Sequence, residues 1–128
     1  MAERLICASD AVAERSLAYR FTAHHGGRER NAILIRFQHK VYAYINECAH
    51  VPIELDYNLG DVFDLSREYL ICSTHGAYYN PSSGLCLGGP CAGRRLHALQ
   101  VCEHDDAIWL IDDSAPPLIE NEIFSKDK

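Results

Sequence analysis

Two short groups of cysteine and histidine stand out as side chains that could bind metal. Cys48 is followed two residues later by His50, and Cys72 is followed three residues later by His75. Thiolate and neutral imidazole are common ligands of Zn²⁺, which prefers four of them in a tetrahedron. The same four side chains could instead hold a [2Fe–2S] cluster, in which two cysteines bind one iron and two histidines bind the other. Ligand type and spacing leave both alternatives open.

The segment after the second pair favours the cluster over zinc. It contains Gly76-Ala77, Ser82-Ser83-Gly84 and Gly88-Gly89-Pro90. A zinc knuckle needs no such additional loops, whereas a redox cluster needs loops that exclude water and present backbone N–H groups to its sulfides. Glycine permits a close backbone approach, and proline stiffens a covering loop.

These motifs together resemble the Rieske iron–sulfur family, and its soluble ferredoxins more closely than its respiratory-chain members. The resemblance runs from about residue 40 to residue 110. It is carried by the ligand loops Cys48-Ala49-His50 and Cys72-Ser73-Thr74-His75-Gly76-Ala77, and by the proline loop Gly88-Gly89-Pro90-Cys91. We expect a fold of Rieske type on this basis.

The resemblance also implies the ligands. Cys48 and Cys72 would bind the buried iron, and His50 and His75 the outer, solvent-facing iron, of one [2Fe–2S] cluster per chain. It implies no catalytic residue, because such a cluster without a flavin, nicotinamide or mononuclear-iron motif can only pass single electrons.

Departures from the respiratory members bear on the reduction potential. Those proteins carry a disulfide between their ligand loops, but the matching positions here are Ile53 and Thr74. Their serine donor to a bridging sulfide is matched by Ala77, while Tyr79 stands where they have a tyrosine donor. Losing a donor to a cluster sulfide lowers the potential, so we predict a value in the lower part of the Rieske range.

Short β-rich runs separated by turn residues must position these loops. Alternating or apolar runs predict strands at 17–21, 32–37, 41–46, 68–71, 77–79, 99–102 and 107–111, with at most two helical turns in each of 8–16 and 61–67. This pattern predicts an all-β fold, a small antiparallel sandwich or barrel with an inserted cluster-binding subdomain formed by the two ligand loops and the proline loop. We expect one domain over residues 1–115, with the cluster-binding part at about 46–92, and an acidic tail over 116–128.

The other cysteines, histidines and aromatic residues are predicted to be structural. Cys7, Cys102 and Trp109 lie in strand-like runs and are expected in the core, while the five remaining histidines are expected in solvent. Cys86 and Cys91 bracket the proline loop, so a disulfide is conceivable there. A reducing compartment favours free thiols instead.

Charge and hydropathy exclude several functions. The net charge is −6, and the sequence has no cluster of Lys or Arg that could bind phosphates. Both facts argue against nucleic acid and anionic membranes as partners. No apolar run approaches the roughly 20 residues of a membrane span, and the first residues lack the apolar core of a signal peptide. We therefore expect a cytoplasmic monomer.

The resemblance implies a soluble carrier that takes electrons from a flavoprotein NAD(P)H reductase and passes them to a terminal oxygenase or another redox acceptor. Two alternatives stay open: the small subunit of an oxidoreductase such as nitrite reductase, and a structural zinc-binding interaction module. Five acids in residues 51–68 could also steer a basic partner towards the cluster.

Overall fold

The computed structural model describes residues 3–25, 27–49, 53–56, 59–72, 76–89, 91 and 93–111, and these form ten strands and one short 3-10 turn. The strands are β1 (Glu3–Ala8), β2 (Tyr19–His25), β3 (Arg28–Phe37), β4 (Lys40–Ile45), β5 (Leu70–Ile71), β6 (Tyr78–Tyr79), β7 (Cys86–Gly88), β8 (Ala98–Leu99), β9 (Val101–His104) and β10 (Ala107–Ile111). The 3-10 turn covers Ser9–Ala11. No helix in this part of the chain is long and apolar enough to cross a membrane. The prediction of an all-β fold is confirmed.

The strands of the described residues form three antiparallel sheets. The terminal sheet has the order β1-β10-β9, the central sheet β2-β3-β4-β8, and the loop sheet β5-β6-β7. β4 pairs directly with β8, although the whole loop sheet lies between them in the sequence. The loop sheet is therefore an insertion into the central sheet, as the sequence predicted for the cluster-binding part.

The central sheet is buried on both faces. Successive side chains of a strand point to opposite faces, so β4 divides its residues between two cores. Tyr42 and Tyr44 pack into the core that contains Cys48 and Cys72, whereas Val41 and Ala43 pack into a second core. The predicted alternation along this strand is thus correct, and the low polar contrast of β3 and β4 reflects burial on two sides.

Several details differ from the sequence-based expectation. Ile108 and Leu110 fill the core, so Trp109 lies on the opposite face, only partly buried, and its assignment to the core was wrong. Residues 61–67 form no helix: Phe63 bridges to Leu70, and a turn follows. The sequence predicted only a strand-like run around Cys7; the structure shows β1 over Glu3–Ala8, with a register shift between residues 5 and 7.

Arg36 ties the central sheet to the terminal sheet. Its guanidinium donates two hydrogen bonds to the Glu103 carboxylate, at 2.9 and 2.7 Å. It also donates to the carbonyl oxygens of Val12 at 2.8 Å and Ser9 at 3.0 Å. The hydrogen bonds from Arg36 hold the pKa of Glu103 below its usual range.

This ion pair predicts how stability depends on pH. Because the pKa of Glu103 is lower in the folded state, its stabilising contribution is complete above the unfolded value of about 4.3 and is lost as the pH falls through the folded value. We expect Glu103→Gln to unfold more easily than wild type at pH 7 and to show a shallower loss of stability in acid. Urea unfolding followed by circular dichroism between pH 3 and 7 measures both effects. Glu29→Gln, an exposed residue of β3, is the matched control; parallel curves for wild type and Glu103→Gln would contradict the prediction.

Candidate metal centre

The two predicted ligand loops are closed in the same way. The Cys48 N–H donates to the carbonyl of Ile53 at 2.7 Å, and the Cys72 N–H donates to the carbonyl of Ala77 at 2.8 Å. Cys48 lies three residues after the end of β4, and Cys72 directly follows β5. In both predicted loops, therefore, the cysteine stands close after a strand and its N–H bonds to the carbonyl five residues later.

Both predicted cysteine ligands are buried together. Cys48 is 4% exposed and Cys72 is fully buried, and both belong to one hydrophobic cluster. Neutral thiols are common in such a core, whereas two thiolates there would require a compensating positive charge, which a bound metal would supply. His50 and His75 lie outside the described residues, so their assignment as ligands stays a prediction.

Tyr79 connects the loops around this pair. Its hydroxyl oxygen is 3.2 Å from Cys48 Sγ and accepts the Ala49 N–H at 3.0 Å. The same oxygen is 3.3 Å from Cys91 Sγ. Burial, and then the hydrogen bond with Cys48, raise the pKa of the hydroxyl, which therefore keeps its proton.

The hydroxyl proton has one suitable acceptor among these contacts. Cys91 is oxidised, so its sulfur has no proton to give and is a weak, neutral acceptor. A Cys48 thiolate would be the stronger acceptor, because hydrogen bonds to charged atoms are about twice as strong as neutral ones. The sequence leaves the role of Tyr79 open; when Cys48 is a thiolate, the Tyr79 hydroxyl is the donor in this contact.

Cys86 and Cys91 form a disulfide, so the expectation of free thiols was wrong. The Cys86 N–H donates to the carbonyl of Arg94 at 2.7 Å, and the Arg94 N–H donates to the carbonyl of Cys91 at 2.9 Å. These bonds fold the proline loop back on β7 and bring the two Cα atoms to 5.9 Å, within bridging distance. The sequence places the two cysteines on either side of the proline loop, but the backbone bonds that bring them within bridging distance are visible only in the structure.

The proline loop packs closely on the second ligand loop. Gly89 has a φ of +89°, and a Cβ built on it would lie 2.8 Å from Ala77 Cα. Any other residue would therefore be strained and would push the loops apart. With two buried cysteines, a hydroxyl directed at one of them and a closely packed covering loop, the site fits an iron–sulfur cluster.

A buried polar network, which the sequence analysis missed, supports the first ligand loop. Asn46 donates to Asp56 at 2.8 Å and accepts the Leu55 N–H at 2.9 Å. Asp56 also accepts the Gly60 N–H at 2.8 Å and forms an ion pair with Arg20 at 3.2 Å. Asp56 resembles the other acids of its segment in sequence, so only the long-range contacts distinguish it.

We expect Asp56→Ala to lower the free energy of unfolding by about 3 kcal/mol, because it leaves Asn46 and the Gly60 N–H without their buried acceptor and Arg20 without one of its two carboxylate partners. Asp56→Asn should lose less, since its amide oxygen still accepts one hydrogen bond. Chemical denaturation measures both, with the exposed Asp61→Asn as control. If Asp56→Ala and the control were equally stable, the network would have no structural role.

The other acids of this segment bind mainly within the chain. Glu54 contacts Arg20 at 2.9 Å and Asn31 at 2.6 Å, and Glu68 contacts Arg15 at 2.7 Å. Charges that are already paired contribute less to the long-range field that steers a partner. The steering hypothesis is therefore weaker than the sequence suggested.

Comparison with known proteins identifies a matching family and several similar structures. The Rieske [2Fe-2S] domain family matches residues 4–103, whereas a search of curated proteins gave no match. The ferredoxin of carbazole 1,9a-dioxygenase from Nocardioides aromaticivorans IC177 is similar, with a TM-score of 0.69 and 18% identity over 88% of this chain and 100% of that chain. A chain in a complex of reduced oxygenase and oxidized ferredoxin in carbazole 1,9a-dioxygenase has a TM-score of 0.66 and 17% identity over 89% of this chain and 96% of that one.

A longer chain is also similar. It comes from the reduced complex between oxygenase and ferredoxin in carbazole 1,9a-dioxygenase, with a TM-score of 0.65 and 20% identity over 94% of this chain but only 31% of that chain. At these identities the likeness shows the fold alone. The family match, in contrast, covers most of the chain and both loops that begin at Cys48 and Cys72. The chain therefore belongs to the Rieske [2Fe-2S] domain family.

Proposed function

We propose that this protein is an electron carrier and not an enzyme, with one [2Fe–2S] cluster per chain held by Cys48, His50, Cys72 and His75. The observation that carries the proposal is the Tyr79 hydroxyl at 3.2 Å from Cys48 Sγ, in the core that also buries Cys72. A Rieske cluster supplies a one-electron couple when it is bound. We assign the cluster-binding part to about 46–92 within a single domain over 1–115, with a separate acidic tail over 116–128.

Residues of this chain exclude water from the cluster site, stabilise the reduced state and provide the exit for the electron. Cys48 and Cys72 hold the inner side of the site in an apolar core, which limits the reorganisation of water during electron transfer. Tyr79 donates to the sulfur of Cys48 and thereby stabilises added negative charge. By the family resemblance, His50 and His75 bind the outer iron and form the exit for the electron.

We further propose that the electron comes from a flavoprotein NAD(P)H reductase and goes to a terminal oxygenase, with the carrier a cytoplasmic monomer. The similar solved structures include a dioxygenase ferredoxin and complexes of ferredoxin with oxygenase, which supports this choice of acceptor. Copurification with a larger reductase subunit would instead favour the small subunit of an enzyme such as nitrite reductase.

The test begins with the metal content and spectra of the purified protein. Two irons and two acid-labile sulfides per chain, a red-brown colour and a rhombic spin-resonance signal after reduction are expected of a Rieske cluster. A colourless protein with stoichiometric zinc would overturn the proposal in favour of a zinc module. His75→Cys should shift the optical and spin signals towards those of an all-thiolate cluster, and unchanged signals would remove His75 from the ligand set.

A further inference from the structure

A second group of metal-binding side chains lies on the terminal sheet, apart from both ligand loops. Cys102 Sγ is 3.2 Å from Glu3 Oε2, and His104 Nε2 is 3.0 Å from Glu3 Oε1. One ligand atom from each of the three side chains lies within 4.8 Å of the other two. The group therefore offers a sulfur, a nitrogen and an oxygen at one point.

The register of the sheet creates this convergence. Trp109 of β10 pairs with Cys102 of β9, and Ile111 of β10 pairs with Glu3 of β1. Residues two apart on a strand share a face, so Glu3, Cys102 and His104 all lie on the outer face of the sheet. The expectation that Cys102 is a core residue was wrong for the same reason: it shares a face with Trp109 and is only partly buried.

His104 is held in an orientation that suits a ligand. Its Nδ1 lies 2.9 Å from Asp105 Oδ2, and its ring stacks on Trp109 at 5.2 Å between centroids. Trp109 also donates its indole N–H to the carbonyl of His104 at 3.2 Å. A histidine ligand commonly has its second ring nitrogen bound to a carboxylate, which fixes the ring and directs the first nitrogen at the metal.

We propose that Glu3, Cys102 and His104 form a binding site for Zn²⁺, with a fourth position open to water. Ligand atoms around tetrahedral zinc are roughly 3.3–3.7 Å apart at bond lengths of 2.0–2.3 Å. The two contacts with Glu3, at 3.0 and 3.2 Å, are slightly shorter, and all three ligand atoms lie within 4.8 Å of one another, so shifts of about 1 Å bring them around one ion. These side chains are exposed or partly exposed and can make that movement. Zn²⁺ replaces the thiol proton of Cys102, which leaves to solvent as the thiolate binds.

The donor set selects the class of metal and its effect. Mg²⁺ and Ca²⁺ prefer oxygen ligands, whereas a thiolate and an imidazole suit Zn²⁺ and its neighbours in the transition series. Glu3 and Cys102 come from β1 and β9, which lie on opposite sides of β10 and do not pair with each other. A bound ion would join the two edges of this sheet and raise the melting temperature.

Zinc binding to the cluster-containing protein tests the proposal. Equilibrium dialysis against a zinc buffer, with zinc and iron counted together, should give one zinc per chain without loss of iron. Trp109 is the single tryptophan of the chain and stacks on His104, so its fluorescence should report the same binding curve. Cys102→Ser and His104→Asn should each weaken binding by at least about tenfold and abolish the rise in melting temperature.

Two exposed turn residues provide matched controls. His39 and Asp106 have positive φ values of 69° and 59°, which asparagine tolerates, so His39→Asn and Asp106→Asn should leave zinc binding unchanged. The proposal is overturned if zinc does not bind, if it binds equally to Cys102→Ser and His104→Asn, or if it enters only as iron is lost. Circular dichroism of the two variants checks that their folds are intact.

Discussion

Replacing Cys72 with serine will produce a protein that contains almost no iron. Cys72 is fully buried beside Tyr79 and Ala77, so no solvent-exposed side chain can take its place. A serine hydroxyl stays protonated at neutral pH, whereas the thiolate is the ligand that an iron–sulfur cluster uses. We expect iron and acid-labile sulfide per chain to fall at least about tenfold, together with the visible absorbance, because a lost ligand costs at least as much as a lost supporting contact.

The same variant also distinguishes loss of the metal site from loss of the whole fold. Metal binding contributes folding free energy, so Cys72→Ser should also melt at a lower temperature. The central and terminal sheets share a second core that contains Leu34 and Ile108 and not Cys72, so their circular dichroism should survive. Cys7→Ala is the control, since Cys7 is a buried cysteine of that second core and should retain full iron. Full iron in Cys72→Ser would mean that another residue binds the inner iron.

The sequence predicted the parts of this molecule that depend on local pattern. β2, β3, β4 and β10 follow from alternating or apolar runs between turns. The spacing of Cys48 and Cys72 to a nearby histidine predicts metal ligands; the structure buries both cysteines in one core, and their role as ligands stays a prediction. Strand pairing then requires little more than short connections, and the antiparallel order of β2, β3 and β4 results. These features need no knowledge of distant contacts.

Features that depend on contacts between residues far apart in the sequence could not be predicted from it. The role of Asp56 arises from contacts with Arg20 and Asn46, residues 36 and 10 positions away, and nothing in its own neighbourhood signals them. Likewise, whether Cys102 faces the core or solvent is decided by the register between β9 and β10. A one-residue difference in register exchanges the two faces, so composition alone could not decide.

The second large expected effect concerns the reduction potential. We expect Tyr79→Phe to lower the midpoint potential by about 40 mV. The hydroxyl donates to Cys48 Sγ at 3.2 Å, and a donor stabilises the reduced state more because that state carries more negative charge. A difference of about 1 kcal/mol between the two states corresponds to roughly 40 mV, since 59 mV is tenfold, or about 1.4 kcal/mol, for one electron.

The Tyr79 hydroxyl is important because Ala77 cannot supply the other side-chain donor. In the respiratory members a serine hydroxyl reaches a bridging sulfide, and the matching residue here is Ala77, which has no donor beyond its backbone. Tyr79 therefore keeps one of the two side-chain donors that the family resemblance implies. The predicted value in the lower part of the Rieske range, which spans about −150 to +300 mV, should move lower still in Tyr79→Phe.

Tyr44→Phe is the matched control for this experiment. Tyr44 is also a fully buried tyrosine, but its hydroxyl donates to the carbonyl of Pro81 at 2.6 Å and not to a cysteine. Both variants lose a buried hydrogen bond and should lose about 1 kcal/mol of stability, yet only Tyr79→Phe should change the potential measured by protein-film voltammetry. Equal potentials in the two variants would show that the Tyr79 hydroxyl supports the loops through Ala49 and does not act on the sulfur of Cys48.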